Sequence, residues 1–290
     1  MNEVADIRMG PICYRLASTE PVTIYYDDWA YQPFVRPASS QADPRVEKIV
    51  SVHLHQGGLA CPDPEPLFAA GQNWAVWSEA EGRYLFCAGF AGRDVARRAC
   101  LVDAGLQQVD LYMDGELSYE PLRYPLDQVL SWGILGQCGG VMLHAAVVEH
   151  KGEGILFAGR SGAGKSTLST FCHQAGWPIL NDDRAMVFPR SGRWWVAGTP
   201  WHGSGKYADN RELPLRAIYL LTQDRHNEVI ELPLQETRRT LLDVTSIPWF
   251  EPTWSQHILS NIEQLTADLP LRRFHFTRSA EAVATLEQML

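Results

Sequence analysis

The sequence predicts an α/β chain, and three observations carry that expectation. The apolar run Gly154-Ile155-Leu156-Phe157-Ala158 leads into a glycine-rich loop at residues 159–167 and then into Leu168-Ser169-Thr170-Phe171-Cys172, so strand, tight loop and helix follow in order. Strand-like and helix-like stretches then alternate to the C-terminus. With 46% hydrophobic and 20% charged residues over 290 positions, the chain has apolar surface for one large core or two modest ones, which favours an ordered protein of two units.

Residues 1–128 read as a mixed α+β domain rich in strands. β-like runs at Thr23-Ile24-Tyr25-Tyr26, Ile49-Val50-Ser51-Val52 and Tyr84-Leu85-Phe86-Cys87 are separated by Pro and Gly clusters, and residues 33–44 and 61–66 read as loops. Residues 129–290 form the second unit. Residues 128–135 have helical spacing and lead through Gly139-Gly140 into an apolar strand at 141–148. Next come a strand at 155–158, a helix at 165–175, and strands at 179–180, 185–188, 194–197 and 217–221. Helices at 234–242 and 255–265, a strand at 272–276 and a closing helix at 280–290 complete the unit. Internal repeats and low-complexity segments are absent.

Composition narrows the partners. A net charge of −9 opposes a nucleic-acid surface, because a phosphate backbone is bound by clustered Lys and Arg. Six cysteines (Cys13, Cys61, Cys87, Cys100, Cys138 and Cys172) include no C-x-x-C pair, so reduced thiols are expected rather than a zinc ribbon or a redox motif. The N-terminus lacks a basic region followed by an apolar one, and no apolar run approaches the ~20 residues of a membrane span. A cytoplasmic location away from the membrane is the expectation; association between copies of the chain is left open.

The loop carries the chemistry. In Gly159-Arg160-Ser161-Gly162-Ala163-Gly164-Lys165-Ser166-Thr167 the glycines let the backbone turn with its amides inward, Lys165 supplies a point charge to outer phosphates, and the Ser166 hydroxyl can ligate magnesium. Gly159, Ser161, Gly162, Ala163, Gly164, Lys165, Ser166 and Thr167 are therefore the candidate contacts to a nucleoside triphosphate, with ATP and Mg2+ as the expected ligands. A second feature follows the loop helix, where the apolar run Trp177-Pro178-Ile179-Leu180 ends in Asn181-Asp182-Asp183. A parallel strand beside the phosphate loop would deliver both acids to one crevice, one to hold metal and one to accept a proton. Taken alone, Asn-Asp-Asp after a strand is equally ordinary turn chemistry.

Residues 143–188 hold Leu-His at the first strand, a G-x-S-G-x-G-K-S loop, and an apolar strand into Asp-Asp. This combination resembles the HPr kinase/phosphorylase family, whose nucleotide core is shared with ATP-dependent phosphoenolpyruvate carboxykinases. The resemblance implies a P-loop core of that type in an α/β fold, with a smaller strand-rich N-terminal domain. It also implies that Lys165 contacts the transferred phosphate, Ser166 ligates magnesium, Asp183 accepts the substrate hydroxyl proton, Asp182 positions metal or water, and His144 lies near the phosphate. Without the resemblance, a His at the end of Gly-Gly-Val-Met-Leu reads first as a satisfied core residue.

The chain departs from the family after the acids. The family's kinases of the carrier protein HPr have a metal-binding Glu followed by Arg-Gly-rich sequence, and this chain has Gly198-Thr199-Pro200-Trp201-His202-Gly203-Ser204-Gly205-Lys206 instead. HPr as acceptor and reversal of the reaction are accordingly not carried over. His202 and Lys206 are candidates for a substrate-facing loop or a surface turn. Arg211 or Arg216 is a candidate for stabilising charge on a transferred phosphoryl group, or for a surface salt bridge. Trp194, Trp195, Trp201, Trp249 and Trp254 read as core filler or an aromatic rim.

The expected function is an Mg-dependent, serine kinase-like phosphotransferase that moves the γ-phosphoryl of ATP to a hydroxyl, foremost a Ser of a protein or peptide, with the N-terminal domain recognising a substrate or partner. A nucleotide-binding regulatory ATPase and a kinase of a small molecule are the alternatives. A carboxykinase is disfavoured by the short chain.

Overall fold

The computed structural model describes residues 2–41, 43–63, 65–269 and 271–290, so the loop expectations at 33–44 and 61–66 lie outside the described residues where they fall on Ala42 and Pro64. Two units divide the chain, one reaching to Ile134 with Pro248–Pro252 added, the other comprising Leu135–Ile247 and Thr253–Leu290. The division falls inside a helix, later than the expected 128/129 boundary.

In the first unit the strands are β1 (Asn2–Met9), β2 (Ile12–Ser18), β3 (Val35–Pro37), β4 (Lys48–Gln56), β5 (Phe68–Ala70), β6 (Trp74–Ser78), β7 (Tyr84–Ala88), β8 (Arg98–Val102) and β9 (Gln108–Met113). They form one sheet in the order β3-β1-β2-β4-β9-β8-β7-β6-β5, with β4 parallel to both β2 and β9. Alternation in β4 shows why: Val50, Val52 and Leu54 are buried while the residues between them are not, the period-2 pattern of a strand with one covered face. Helix α1 (Leu126–Gln137) follows, and its buried Asp127 accepts a 2.7 Å hydrogen bond from the Tyr31 hydroxyl.

Two expectations are corrected in this unit. Thr23-Ile24-Tyr25-Tyr26 forms no strand; Tyr25 makes only an isolated bridge to Tyr119, with their rings edge to face at 5.4 Å, and Tyr26 turns inward to donate to the Leu122 carbonyl. The aromatic content of that run serves packing rather than pairing. Within the expected loop at 33–44, Val35–Pro37 instead pairs with β1 at the sheet edge, where the missing Pro37 amide is tolerated.

The second unit comprises β10 (Val141–His150), β11 (Glu153–Ala158), α2 (Lys165–Gln174), β12 (Ile179–Asn181), β13 (Arg184–Arg190), β14 (Arg193–Ala197), β15 (Glu212–Gln223), β16 (Glu228–Glu231), α3 (Leu234–Leu242), α4 (Pro252–Asp268), β17 (Leu271–Phe276) and α5 (Glu281–Met289). It is a mixed α/β arrangement on an eight-stranded sheet ordered β11-β10-β13-β14-β15-β17-β16, with β12 paired to β10 and β11 also pairing β15 in parallel. Strand β10 serves three neighbours, β13 over its first residues and β11 and β12 over its later ones.

Both faces of this sheet are covered, which explains the near-continuous apolar runs. Val141, Leu143, Ala145 and Val147 of β10 pack in a core with Leu156, Ile218, and Ile258 and Ile262 of α4. The alternate residues Ala146 and Val148 join Phe157, Leu168 and Cys172 of α2, and Val283 and Leu286 of α5. Each fully buried Leu, Ile or Phe contributes about 1.5–3 kcal/mol relative to exposure, so α2 and α5 are held mainly by this second layer. All six cysteines are free thiols. Among the described residues no helix is long and apolar enough to cross a membrane.

One topological expectation changes. Strand β12 is not the neighbour of β11: it pairs antiparallel with β10, which is itself antiparallel to β11 and lies between them. Strands β11 and β12 therefore still run in the same sense, and the chain leaves both at the edge where β10 carries His144.

Candidate functional site

The loop after β11 depends on glycine at specific places. Gly162 and Gly164 have φ of +83° and +99°, the left-handed region that L side chains disfavour. A Cβ on Gly164 would also lie 2.5 Å from the Phe276 ring. Gly164 caps α2, whose first-turn amides have no partner within the helix and carry its positive dipole end, a favourable setting for an anion. Lys165 opens that helix and is only 7% exposed. Its Nζ donates to the Gly159 carbonyl at 2.8 Å and the Arg160 carbonyl at 3.3 Å. Burial pulls the Lys165 ammonium below the ordinary lysine range; Asp183 pulls the other way, Arg184 adds to the lowering, and Asp182 opposes it.

The turn after β12 is organised by Asn181, which is wholly buried. Its Oδ1 accepts from the amides of Asp183 (2.9 Å) and Arg184 (2.8 Å). Its Nδ2 donates to the Thr199 carbonyl (3.1 Å), the Thr199 hydroxyl (3.2 Å) and the Trp201 carbonyl (3.2 Å). The Thr199 hydroxyl in turn donates to the Arg184 carbonyl at 2.6 Å. With the turn so held, the two acids take different environments.

Asp183 faces His144, with Nε2 2.9 Å from Oδ1, and Arg184 Nε lies 3.6 Å from its other oxygen. Burial pushes the Asp183 carboxyl up, but the hydrogen bond from His144 and the charges of Arg184, His144 and Lys165 together hold it below the usual carboxylate range. Asp182 is 3% exposed and accepts from the backbone amides of Gly203 at 2.7 Å and Gly205 at 2.6 Å, one on each oxygen.

These elements line one cleft of about 370 Å³. Of the residues singled out in the sequence, His144, Ser161, Gly162, Gly164, Lys165, Ser166, Thr167, Asp182 and Asp183 border it. Gly159 and Ala163 serve the loop instead: a Cβ on Gly159 would sit 2.6 Å from that of Ala163, whose amide donates to the Arg160 carbonyl. The lining also includes Gly203, Ser204, Gln223 and Arg278. Gln223 at the end of β15 donates to the Gly162 carbonyl at 2.8 Å and accepts from Arg278 Nε at 2.9 Å, so a guanidinium is tied to the glycine loop.

Several sequence candidates lie elsewhere. Arg211 is engaged by Asp209 and Glu149, and Arg216 donates to the Leu290 carbonyl, so among the described residues Arg278 is the arginine that borders the cleft. Strand β15 carries Arg216 at its start, remote from the strand end where Gln223 meets the loop. Of the loop at 198–206, Gly203 and Ser204 reach the cleft rather than His202 or Lys206. Trp194, Trp201 and Trp254 are buried and Trp249 is 65% exposed; among the described residues no tryptophan borders the cleft. No cluster of three or more His, Cys, Asp or Glu side chains poised for a metal occurs among the described residues.

Comparison with known proteins gives a limited set of likenesses. No curated protein matches. A solved structure described as the Hpr(Ser) kinase/phosphatase from Coxiella burnetii aligns with 51% of this chain and 95% of that one, at 10% identity and a TM-score of 0.31. The family model described as "SynChlorMet cassette protein ScmC" matches residues 132–271, a span that contains the glycine loop, the acid pair and the Gly203–Ser204 turn.

Proposed function

We propose that the second unit is an ATP-dependent phosphotransferase that moves the γ-phosphoryl of ATP to a hydroxyl, with a Ser of a protein or peptide as acceptor. The observation that carries this reading is the convergence, in one cleft, of a glycine loop capping a helix, a buried lysine within that loop, and an Asp183–His144 pair.

Phosphoryl transfer asks mainly for positioning and for neutralising charge. The first-turn amides of α2 and the Lys165 ammonium supply the second, aided by Arg278. Asp183 is held ionised by its neighbours, so it accepts a hydrogen bond from an incoming hydroxyl and orients it. A carboxylate of depressed basicity is a weak proton acceptor, but in a loose transition state the nucleophile need surrender its proton only late. His144, which also borders the cleft, fixes the Asp183 carboxylate through its 2.9 Å contact.

The residues also fit a magnesium ion. Ser166 offers an exposed hydroxyl and Asp182 a carboxylate in the same cleft, and each Asp182 oxygen keeps a second lone pair beyond the amide it accepts. An all-oxygen, partly hydrated set suits that cation. Magnesium held there would neutralise charge on the outer phosphates.

The test is incubation with Mg2+ and ATP labelled at the γ-phosphoryl, together with Ser-containing peptides. Label in the peptide is the expected result. Label only in inorganic phosphate indicates a regulatory ATPase, and label in a low-mass acceptor indicates a small-molecule kinase; either overturns the proposed acceptor. Asp183→Asn is expected to keep nucleotide binding and lose transfer by roughly 10²–10⁴-fold, the usual worth of a positioned proton acceptor.

A further inference from the structure

The segment Gly203-Ser204-Gly205-Lys206 is a turn closed by the Lys206 amide on the Gly203 carbonyl at 3.3 Å, and Lys206 takes a left-handed φ of +58°. Asp182 grips it through the amides of Gly203 and Gly205, on either side of Ser204. This grip dictates composition. A Cβ on Gly203 would lie 2.9 Å from Asp182 Oδ2, and one on Gly205 would lie 2.7 Å from the same oxygen and 2.9 Å from the Tyr207 ring. Of the three residues at the apex only position 204 can carry a side chain without displacing the carboxylate. That side chain is a primary hydroxyl, exposed, and part of the lining of the cleft that holds Lys165 and Asp183.

Resting on the phosphotransferase reading above, we propose that Ser204 is an acceptor in its own cleft: the protein phosphorylates itself on Ser204. Other hydroxyls border the cleft, but Ser161, Ser166 and Thr167 belong to the loop and helix turn that would grip the phosphates. Ser204 comes instead from the segment bound to the acid turn. An acceptor must enter in line with the leaving oxygen, opposite the grip on the phosphates, and that favours the acid side. In the step, a bond forms between Ser204 Oγ and the γ-phosphorus as the bond from that phosphorus to the β,γ-bridging oxygen breaks. The electron pair leaves with ADP, and the hydroxyl proton passes to the Asp183 carboxylate. The product places a phosphate of roughly −1.5 to −2 charge beside Asp182 and Asp183, so like-charge repulsion loosens the Asp182 grip and swings the turn out of the cleft.

The experiment is incubation of the full chain with Mg-ATP at several protein concentrations, followed by intact mass measurement and fragmentation of the phosphorylated peptide, with nucleotide turnover followed in parallel. The expected result is one phosphoryl group per chain, located on Ser204, acquired at a rate constant independent of protein concentration and absent from Ser204→Ala. Turnover of ATP without label on Ser204, or label that maps to Ser161, Ser166 or Thr167, overturns this inference and leaves the phosphotransferase reading standing. Neither turnover nor label removes both.

Discussion

Replacing Asn181 with alanine tests whether a wholly buried amide, itself outside the cleft, sets the geometry of the acids. The side chain spans the turn at Asp183 and Arg184 and the segment at Thr199 and Trp201, with five contacts between 2.8 and 3.2 Å. Truncation strands the buried Thr199 carbonyl, at a cost of about 1–3 kcal/mol. The amides of Asp183 and Arg184 sit in half-buried residues that water can reach, so each of their lost bonds adds only about 1 kcal/mol. The sum is about 4 kcal/mol, which for a unit of this size lowers Tm by roughly 8–16 °C. Thermal unfolding of Asn181→Ala followed by circular dichroism reads that shift. Transfer activity measured well below the lowered Tm is expected to fall while Mg-ATP binding persists, because Lys165 and the glycine loop are untouched. A Tm within about 2 °C of wild type, or unimpaired transfer in the folded variant, refutes the assignment of Asn181 as the hub of the acid turn.

The remaining predictions concern the partners of the two acids. Gly205→Ala places a methyl against the Asp182 carboxylate and breaks a charge-assisted hydrogen bond, so urea denaturation is expected to show a loss of about 1.5–3 kcal/mol; an unchanged midpoint contradicts the grip described for Asp182. Asp183 has a depressed pKa, so its ionised form, and with it transfer, is present above that pKa and disappears as pH falls through it. His144→Ala removes the hydrogen bond that contributes most to the depression, so the acid limb of the pH–rate profile moves to higher pH; a limb that stays in place shows that another group governs it.

Much of the second unit was legible because its signals are local. The helix at Leu234–Leu242 and the strands β10, β11, β13, β14, β15 and β17 follow from apolar periodicity, and the glycine loop declares itself by the order of strand, turn and helix. Information that depends on which distant segments meet was hidden. Strand β12 has three residues, too few to reveal that β10 rather than β11 is its neighbour. Arg278 and Gln223 reach the cleft only because β15 and β17 run parallel and end together beside the loop; nothing near Arg278 in sequence marks it. The resemblance assigns Asp182 to metal or water; that its two oxygens also accept amides from residues more than twenty positions away depends on which distant segments meet. The Gly-Ser-Gly spacing was the available signal, since glycines on both sides of a single side chain mark a close approach by another group.

Titration calorimetry with Mg-ATP tests the central claim most directly, with wild-type protein compared against Lys165→Ala. Saturable heat at one site per chain, abolished by the substitution while the variant unfolds cooperatively, is the predicted result. Absence of heat from the wild type at millimolar nucleotide, or equal heat from Lys165→Ala, contradicts the account.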